Sequence, residues 1–138
     1  MSQTKTNPAL AEHAAQIAAQ TNWQDKYRLL MKLGSQLNKN ADVEQIDANL
    51  VHGCESQVWL TAQKQIDCYR FSATSDSRIV SGLIMLLLEA INQQTAEFIM
   101  QFNLTDYFDQ LGLNGQMSQS RTSGISAVFD QAKELINR

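Results

Sequence analysis

Proline is all but missing from this sequence. The single one, Pro8, stands near the N-terminus, so no proline-rich linker divides the chain. Cysteine is nearly as scarce: there are two, Cys54 and Cys68, with 13 residues between them. Two thiols in a chain without an export signal do not suggest a disulfide framework. Spacing alone neither demands nor forbids a Cys54–Cys68 bridge. A dedicated zinc or iron site needs about four ligands. The cysteines, His13 and His52 show no C-x-x-C or H-x-x-x-H spacing, which disfavours a metal. Charge of one sign is also lacking, with a net charge of -3 and no long run of either kind. That argues against nucleic acid, which calls for a basic stripe, and against adhesion to membrane through a polybasic patch. The longest apolar run, Leu83–Leu88, falls far short of the roughly 18–20 residues that span a bilayer. The N-terminus lacks the charged start and apolar block of a secretory signal, so a cytoplasmic protein is expected. No Gly-rich phosphate loop, G-x-S-x-G elbow or paired-carboxylate motif occurs.

What is present suits one globular domain. The 138 residues, 43% of them hydrophobic, suffice for a single core and not for two. We expect one domain over 1–138, with the polar residues 1–8 frayed and disordered. Residues 9–20 are alanine-rich and read as a helix. Thr21 and Gln24 have capping-box spacing, opening a second helix whose apolar stripe is Trp23, Tyr27, Leu30, Leu33 and Leu37. Asn38 to Asn49 reads as a polar connection with a short helix near Val43–Ile46. The period then changes to two. Leu50-Val51-His52 suggests a short strand. Val58, Leu60 and Ala62 alternate with Trp59 and Thr61, and Ile66–Ala73 alternates again. Lys64-Gln65 would form the hairpin turn between these runs, although this dipeptide is poor turn chemistry. Ser75-Asp76 starts a helix over 77–91 that is apolar on almost every side and should be central. Shorter helices follow from Thr95 and from Asp106 to Leu111, with Gly112 as a stop. The last helix begins after Ser118–Ser120, with Ile125, Val128, Phe129, Ala132, Leu135 and Ile136 inward. The whole reads as α+β, a small antiparallel sheet of about three strands packed against helices.

Cys54 is the sharpest candidate for chemistry. It lies in a loop between predicted strands, where another macromolecule can reach a thiol. Gly53 permits positive φ or a close approach. Neighbouring backbone N–H groups could stabilise a thiolate or persulfide anion. A lone loop cysteine is, however, more often a small buried filler than a nucleophile, so spacing leaves both readings open. Cys68, inside a predicted strand, reads as a packed residue. His52 either donates a hydrogen bond near Cys54 or is turned away by strand alternation. Asp76 is explained as an N-cap or by the helix dipole. Arg121, at the start of the last helix, is either a surface residue or the partner of an anion or carboxylate. Trp23 and Trp59 read as core aromatics.

These residues also carry a resemblance. Gly53-Cys54-Glu55-Ser56-Gln57-Val58-Trp59-Leu60 resembles the active-cysteine motif of the SufE family, roughly G-C-x-S-x-V-W. Four more segments resemble that family in the same order: Trp23…Lys26-Tyr27 with Leu33-Gly34, Ser75-Asp76…Ile79-Val80…Gly82-Leu83, Leu111-Gly112-Leu113, and Ser120-Arg121…Gly124-Ile125. Together they cover about residues 21–130. The segment Asn22–Arg28 and the long apolar core lean toward the CsdE branch. Two departures stand out: Ala73-Thr74 where the family often has Gly-Asp, and Asn38 where it usually has a proline. The resemblance implies a fold similar to that of SufE and the iron–sulfur scaffold IscU. It also implies a sulfur acceptor that docks on a PLP-dependent cysteine desulfurase similar to SufS or CsdA. Cys54 would take the persulfide sulfur, stimulate the desulfurase and pass the sulfur to a downstream acceptor or cluster scaffold. Gly53, Glu55, Ser56, Asp76, Arg121 and His52 would support it. PLP would stay with the partner, so the chain would need no cofactor. The alternative from another class is an iron–sulfur or metal scaffold without acceptor chemistry. A stand-alone thiol enzyme would need Cys68 within disulfide reach of Cys54.

Overall fold

The computed structural model describes residues 11–137, so the expected fraying of residues 1–8 lies outside the described residues. The elements run α1 (Glu12–Ala19), α2 (Trp23–Asn40), a 3₁₀ turn (Asp47–Asn49), β1 (Val58–Gln65), β2 (Cys68–Ser75), α3 (Arg78–Ile91), α4 (Ala96–Gln101), α5 (Leu104–Gln110) and α6 (Gln119–Ile136). The class is α+β as expected, with an antiparallel hairpin packed against helices.

α3 is the central helix. Leu83, Ile84, Leu86, Leu87 and Ile91 are wholly buried. Its crossing with α2 is set by two glycines. A Cβ on Gly34 would stand 1.9 Å from the Arg78 carbonyl oxygen, and one on Gly82 would stand 2.1 Å from that of Leu30. The backbones therefore touch, and only glycine fits on either side. Leu30 and Leu33 of the α2 stripe are buried, while Trp23, Tyr27 and Leu37 pack around them at the margin. α6 closes the other side through Ile125, Val128, Phe129, Ala132 and Ile136, with Leu135 half-buried.

The sheet has two strands among the described residues, not three. Leu50 makes a single bridge to Trp59, and the Val51 N–H donates to the Val58 carbonyl at 2.8 Å. There pairing stops, because Gly53 takes φ +94° and turns the chain away. The hairpin turn is Ile66-Asp67, not Lys64-Gln65, and the strands pair from Val58↔Ser75 to Gln65↔Cys68. Alternation could not place it because Gln63, Lys64 and Gln65 all face solvent. Ile66, at the tip, is 96% exposed with φ +57°.

Helix starts also shift. Asn22, not Thr21, caps α2 by accepting from the Asp25 N–H at 2.9 Å. Ser77, not Asp76, caps α3 by accepting from the Val80 N–H. α2 runs through Asn38 to Asn40, the expected turn of helix near 43–46 falls instead at Asp47–Asn49, and α5 starts at Leu104. Gly112 ends α5 with φ +69°, as expected.

Candidate functional site

The loop from His52 to Gln57 crosses from the Leu50 bridge to the start of β1. Asp76 holds its far end. The Gln57 N–H donates to Asp76 Oδ1 at 3.0 Å, and the Asp76 N–H donates to the Gln57 carbonyl at 3.1 Å. This acid is therefore a latch on the cysteine loop rather than a helix cap. The near end rests on α6, where a Cβ on Gly53 would stand 3.4 Å from that of Ala127.

Cys54 follows directly and is half-buried. Its Sγ lies against α6 so closely that a Cβ on Gly124 would be 2.8 Å away. Cys54 also borders a pocket of about 290 Å³, lined with it by Glu55, Ser56, Ser77, Val80, Ser118, Ser120 and Arg121. Three separate stretches of chain thus meet at one thiol: the loop, the start of α3 and the start of α6. Ser118 caps α6 by accepting from the Arg121 N–H, and the Arg121 guanidinium lies over the Tyr27 ring, 5.6 Å from its centroid.

Of the residues singled out from sequence, Glu55, Ser56 and Arg121 share the pocket with Cys54. Gly53 shapes the loop and Asp76 anchors it. His52 is exposed and outside the pocket lining. Four further residues surround the thiol that the sequence did not assign to the site: Ser77, Ser118, Ser120 and Gly124. The signals for the last are its place in the family-like segment Ser120-Arg121…Gly124-Ile125 and a glycine inside a helical pattern, which is unfavourable unless something needs the space.

The electrostatics favour a resting thiol. Burial pushes the Cys54 pKa up, the Ser56 backbone N–H opposes this, and the charges of Asp76 and Glu55 push it up further. One backbone donor does act as anticipated, but it is outweighed, because desolvation and two carboxylates both disfavour a thiolate.

Cys68 sits at the opposite end of the hairpin, within 3.4 Å of the Gln65 carbonyl oxygen and 3.6 Å of Gln93 Oε1. A strand of eight residues spans roughly 25 Å, so Cys68 is far outside disulfide reach of Cys54. Both cysteines are free thiols. Among the described residues no three His, Cys, Asp or Glu side chains gather as a metal ion would require. No helix among them is long and apolar enough to cross a membrane.

A single thiol, lodged where a loop and the starts of α3 and α6 meet, defines a small α+β protein built around one loop cysteine. Residues 11–136 match the profile of SufE, described as an Fe-S metabolism associated domain; the chain belongs to the SufE family. It is 36% identical over 137 residues to the sulfur acceptor protein CsdE of Escherichia coli, covering 91% of this chain and 93% of that one. It is 33% identical over 121 residues to an uncharacterized SufE-like protein of Haemophilus influenzae, covering 87% of this chain and 96% of that one. In fold it is similar to a hypothetical protein from Thermus thermophilus with a known solution structure. The TM-score is 0.68 at 13% identity, over 94% of this chain and 96% of that one.

Proposed function

We propose that the protein is a sulfur acceptor that receives persulfide sulfur on Cys54 from a PLP-dependent cysteine desulfurase and delivers it for iron–sulfur cluster assembly in the cytoplasm. The observation that carries this reading is the placement of Cys54. Its thiol is on a loop held by a few reversible contacts, and it is sheltered and kept protonated at rest. A carrier of reactive sulfur needs such a thiol, because a permanently exposed thiolate would meet oxidants and unrelated thiols first. Family membership and the relative's description as a sulfur acceptor support the same role.

The reaction is exchange at sulfur. The Cys54 thiolate attacks the outer sulfur of the donor's persulfide, R–S–SH. A bond forms between Cys54 Sγ and that sulfur, and the donor's S–S bond breaks. The products are Cys54–S–SH and the donor thiolate R–S⁻, with no net oxidation or reduction. Docking supplies what the free protein withholds: it brings the sheltered Cys54 thiol to the donor persulfide, and the proton that Cys54 gives up is balanced by the one the departing donor thiolate takes up. Removing the persulfide from the desulfurase frees it for another turnover, which is how the acceptor stimulates it. PLP remains with the desulfurase.

Intact-mass spectrometry after incubation with a cysteine desulfurase and cysteine tests this reading. The wild-type chain is expected to gain the mass of one sulfur, removable by reductant, and to accelerate cysteine turnover. Cys54→Ser is expected to do neither. Labile sulfur or undiminished stimulation in Cys54→Ser would overturn the assignment.

A further inference from the structure

Glycine within a helix is less favourable than alanine by about 1 kcal/mol, so an interior helical glycine calls for a reason. Gly124 lies in the second turn of α6 and is buried. It does not have the left-handed φ that only glycine readily adopts, in contrast to Gly53, Gly112 and Gly115. Its reason is therefore space. Among the described residues, and outside its own helix backbone and chain neighbours, the only atoms within 4 Å of a Cβ at this position are Sγ of Cys54, at 2.8 Å, and Cβ of Cys54, at 3.9 Å. No other side chain among the described residues comes within 4 Å of that position.

These two distances separate what would move from what would not. A methyl at 3.9 Å from Cys54 Cβ is in ordinary van der Waals contact, so the loop backbone could stay. A methyl at 2.8 Å from Sγ is too close, and the sulfur would have to leave. The thiol has one soft torsion with staggered alternatives, and the neighbouring free volume is the pocket bordered by Ser56, Ser77, Ser118, Ser120 and Arg121. The charged groups around the thiol are Glu55 from its own loop, Asp76 from the turn before α3 and Arg121 from α6.

We propose that Gly124 is the positioning residue of Cys54: its missing side chain is a seat that holds the thiol in against α6, and the thiol becomes reactive by leaving that seat for the polar pocket. The importance of this for sulfur transfer rests on Cys54 being the acceptor, but the seat itself does not. Gly124 touches no substrate. It acts through Cys54 alone by setting how often the thiol is sheltered, so its replacement unseats the thiol while leaving the loop anchored through Gln57 and Asp76.

The test uses the full chain with Cys68→Ala, so that Cys54 is the single thiol. Alkylation of Cys54 by iodoacetamide is followed against pH, with and without Gly124→Ala, and urea stability is measured in parallel. Gly124→Ala is expected to alkylate roughly three- to tenfold faster near neutral pH, since relief of burial raises the thiolate fraction. The midpoint of its pH profile should move down toward that of an ordinary thiol. Stability provides a second readout through a cycle with Cys54→Ala. With Cys54 present, Gly124→Ala should destabilise the protein. In the Cys54→Ala background it should be neutral or stabilising, because the methyl then enters space the sulfur has vacated. Unchanged rate and pH profile would overturn the proposal. So would equal destabilisation in both backgrounds, or failure of the Cys54→Ala/Gly124→Ala protein to fold, since either would mean that the methyl meets something other than the thiol. No desulfurase takes part, so the two readings fail separately. If Gly124→Ala behaves as expected but wild type gains no sulfur, the acceptor reading falls and the seat stands. If wild type gains sulfur but Gly124→Ala alkylates normally, the seat alone is wrong.

Discussion

At the scale of the residue, Cys54 is surrounded by groups that act against its own ionisation. Burial is the leading one, followed among the unfavourable influences by the Asp76 and Glu55 charges. The folded pKa therefore lies above that of the unfolded chain. The stability this contributes is full below the unfolded thiol value, about 8.5, and is lost as pH rises through the folded value. Urea stability is expected to fall with pH across that alkaline window, and to fall less in Cys54→Ala. Asp76 allows charge and tether to be separated. Asp76→Asn removes the charge but keeps an oxygen for the Gln57 N–H, so the alkylation midpoint of Cys54 should move down while the loop stays anchored. Asp76→Ala removes both, and alkylation should then be faster still at any one pH. Equal rates in the two variants would show that the hydrogen bond holds nothing. The cysteine itself was legible, because its neighbours form a motif. The direction of its tuning was not. It depends on burial against α6 and on an acid placed beside the loop only by the hairpin.

At the scale of elements, polarity patterns located nearly every helix and both paired strands, because each has a buried face. They missed where side chains take over from backbone. A two-stranded sheet leaves two open edges, and that of β2 is largely filled by two asparagines. The Phe71 N–H donates to Asn92 Oδ1 at 2.7 Å and its carbonyl accepts from Asn92 Nδ2 at 3.3 Å. The Ser75 N–H donates to Asn38 Oδ1 at 3.2 Å and its carbonyl accepts from Asn38 Nδ2 at 3.1 Å. Each amide thus stands in for one residue of a neighbouring strand. Asn38 does more, since Oδ1 also accepts from Thr74 Oγ1 at 2.8 Å and Ser81 Oγ at 2.9 Å. Asn38, one of the two departures from the family pattern, is therefore a polar hub inside α2. No periodicity could have revealed this, because a lone asparagine near a helix end looks like a stop signal. Asn38→Ala would strand the buried hydroxyl of Ser81 and both backbone groups of Ser75. At about 1–3 kcal/mol for each buried group left unpaired, with partial relief by water, the loss in urea-derived stability should be roughly 2–4 kcal/mol. Gly34→Ala should be worse, at about 3 kcal/mol or more, since the methyl would meet backbone on α3 rather than a flexible side chain. A loss below about 1 kcal/mol would mean that α2 and α3 can separate cheaply.

At the scale of the whole molecule, one ammonium joins parts that sequence treats as remote. Lys26 on α2 is 8% exposed. Its Nζ donates to the Ile17 carbonyl in the last turn of α1 at 2.6 Å and to the Leu111 carbonyl at the end of α5 at 2.9 Å. Both acceptors lie at helix C-termini, where the backbone dipoles favour a cation. Gly112 makes room for it, as a Cβ there would stand 3.2 Å from Nζ. Burial draws the Lys26 pKa down, yet two carbonyls at hydrogen-bond distance give the charged form its partners. Lys26 was visible in the sequence only as one member of a family segment on an otherwise amphipathic helix. Its role needs both helix ends to arrive at the same point, which a one-dimensional pattern does not contain. Lys26→Met would keep most of the aliphatic stem and remove the donor, leaving the Leu111 carbonyl unpaired and the Ile17 carbonyl with the Gln20 N–H alone. The expected loss is about 1–3 kcal/mol. It should fall unevenly, because α1 is a short helix of 8 residues with few other ties, among them buried Ala14 and Ile17 and the contact of His13 with Glu89. Native-state hydrogen exchange is the decisive measurement. The Ala15 and Gln20 amides, which donate to the Ala11 and Ile17 carbonyls, should exchange faster by a larger factor than amides in α3. If all amides accelerate together, Lys26 contributes only to global stability and does not hold α1 to the rest.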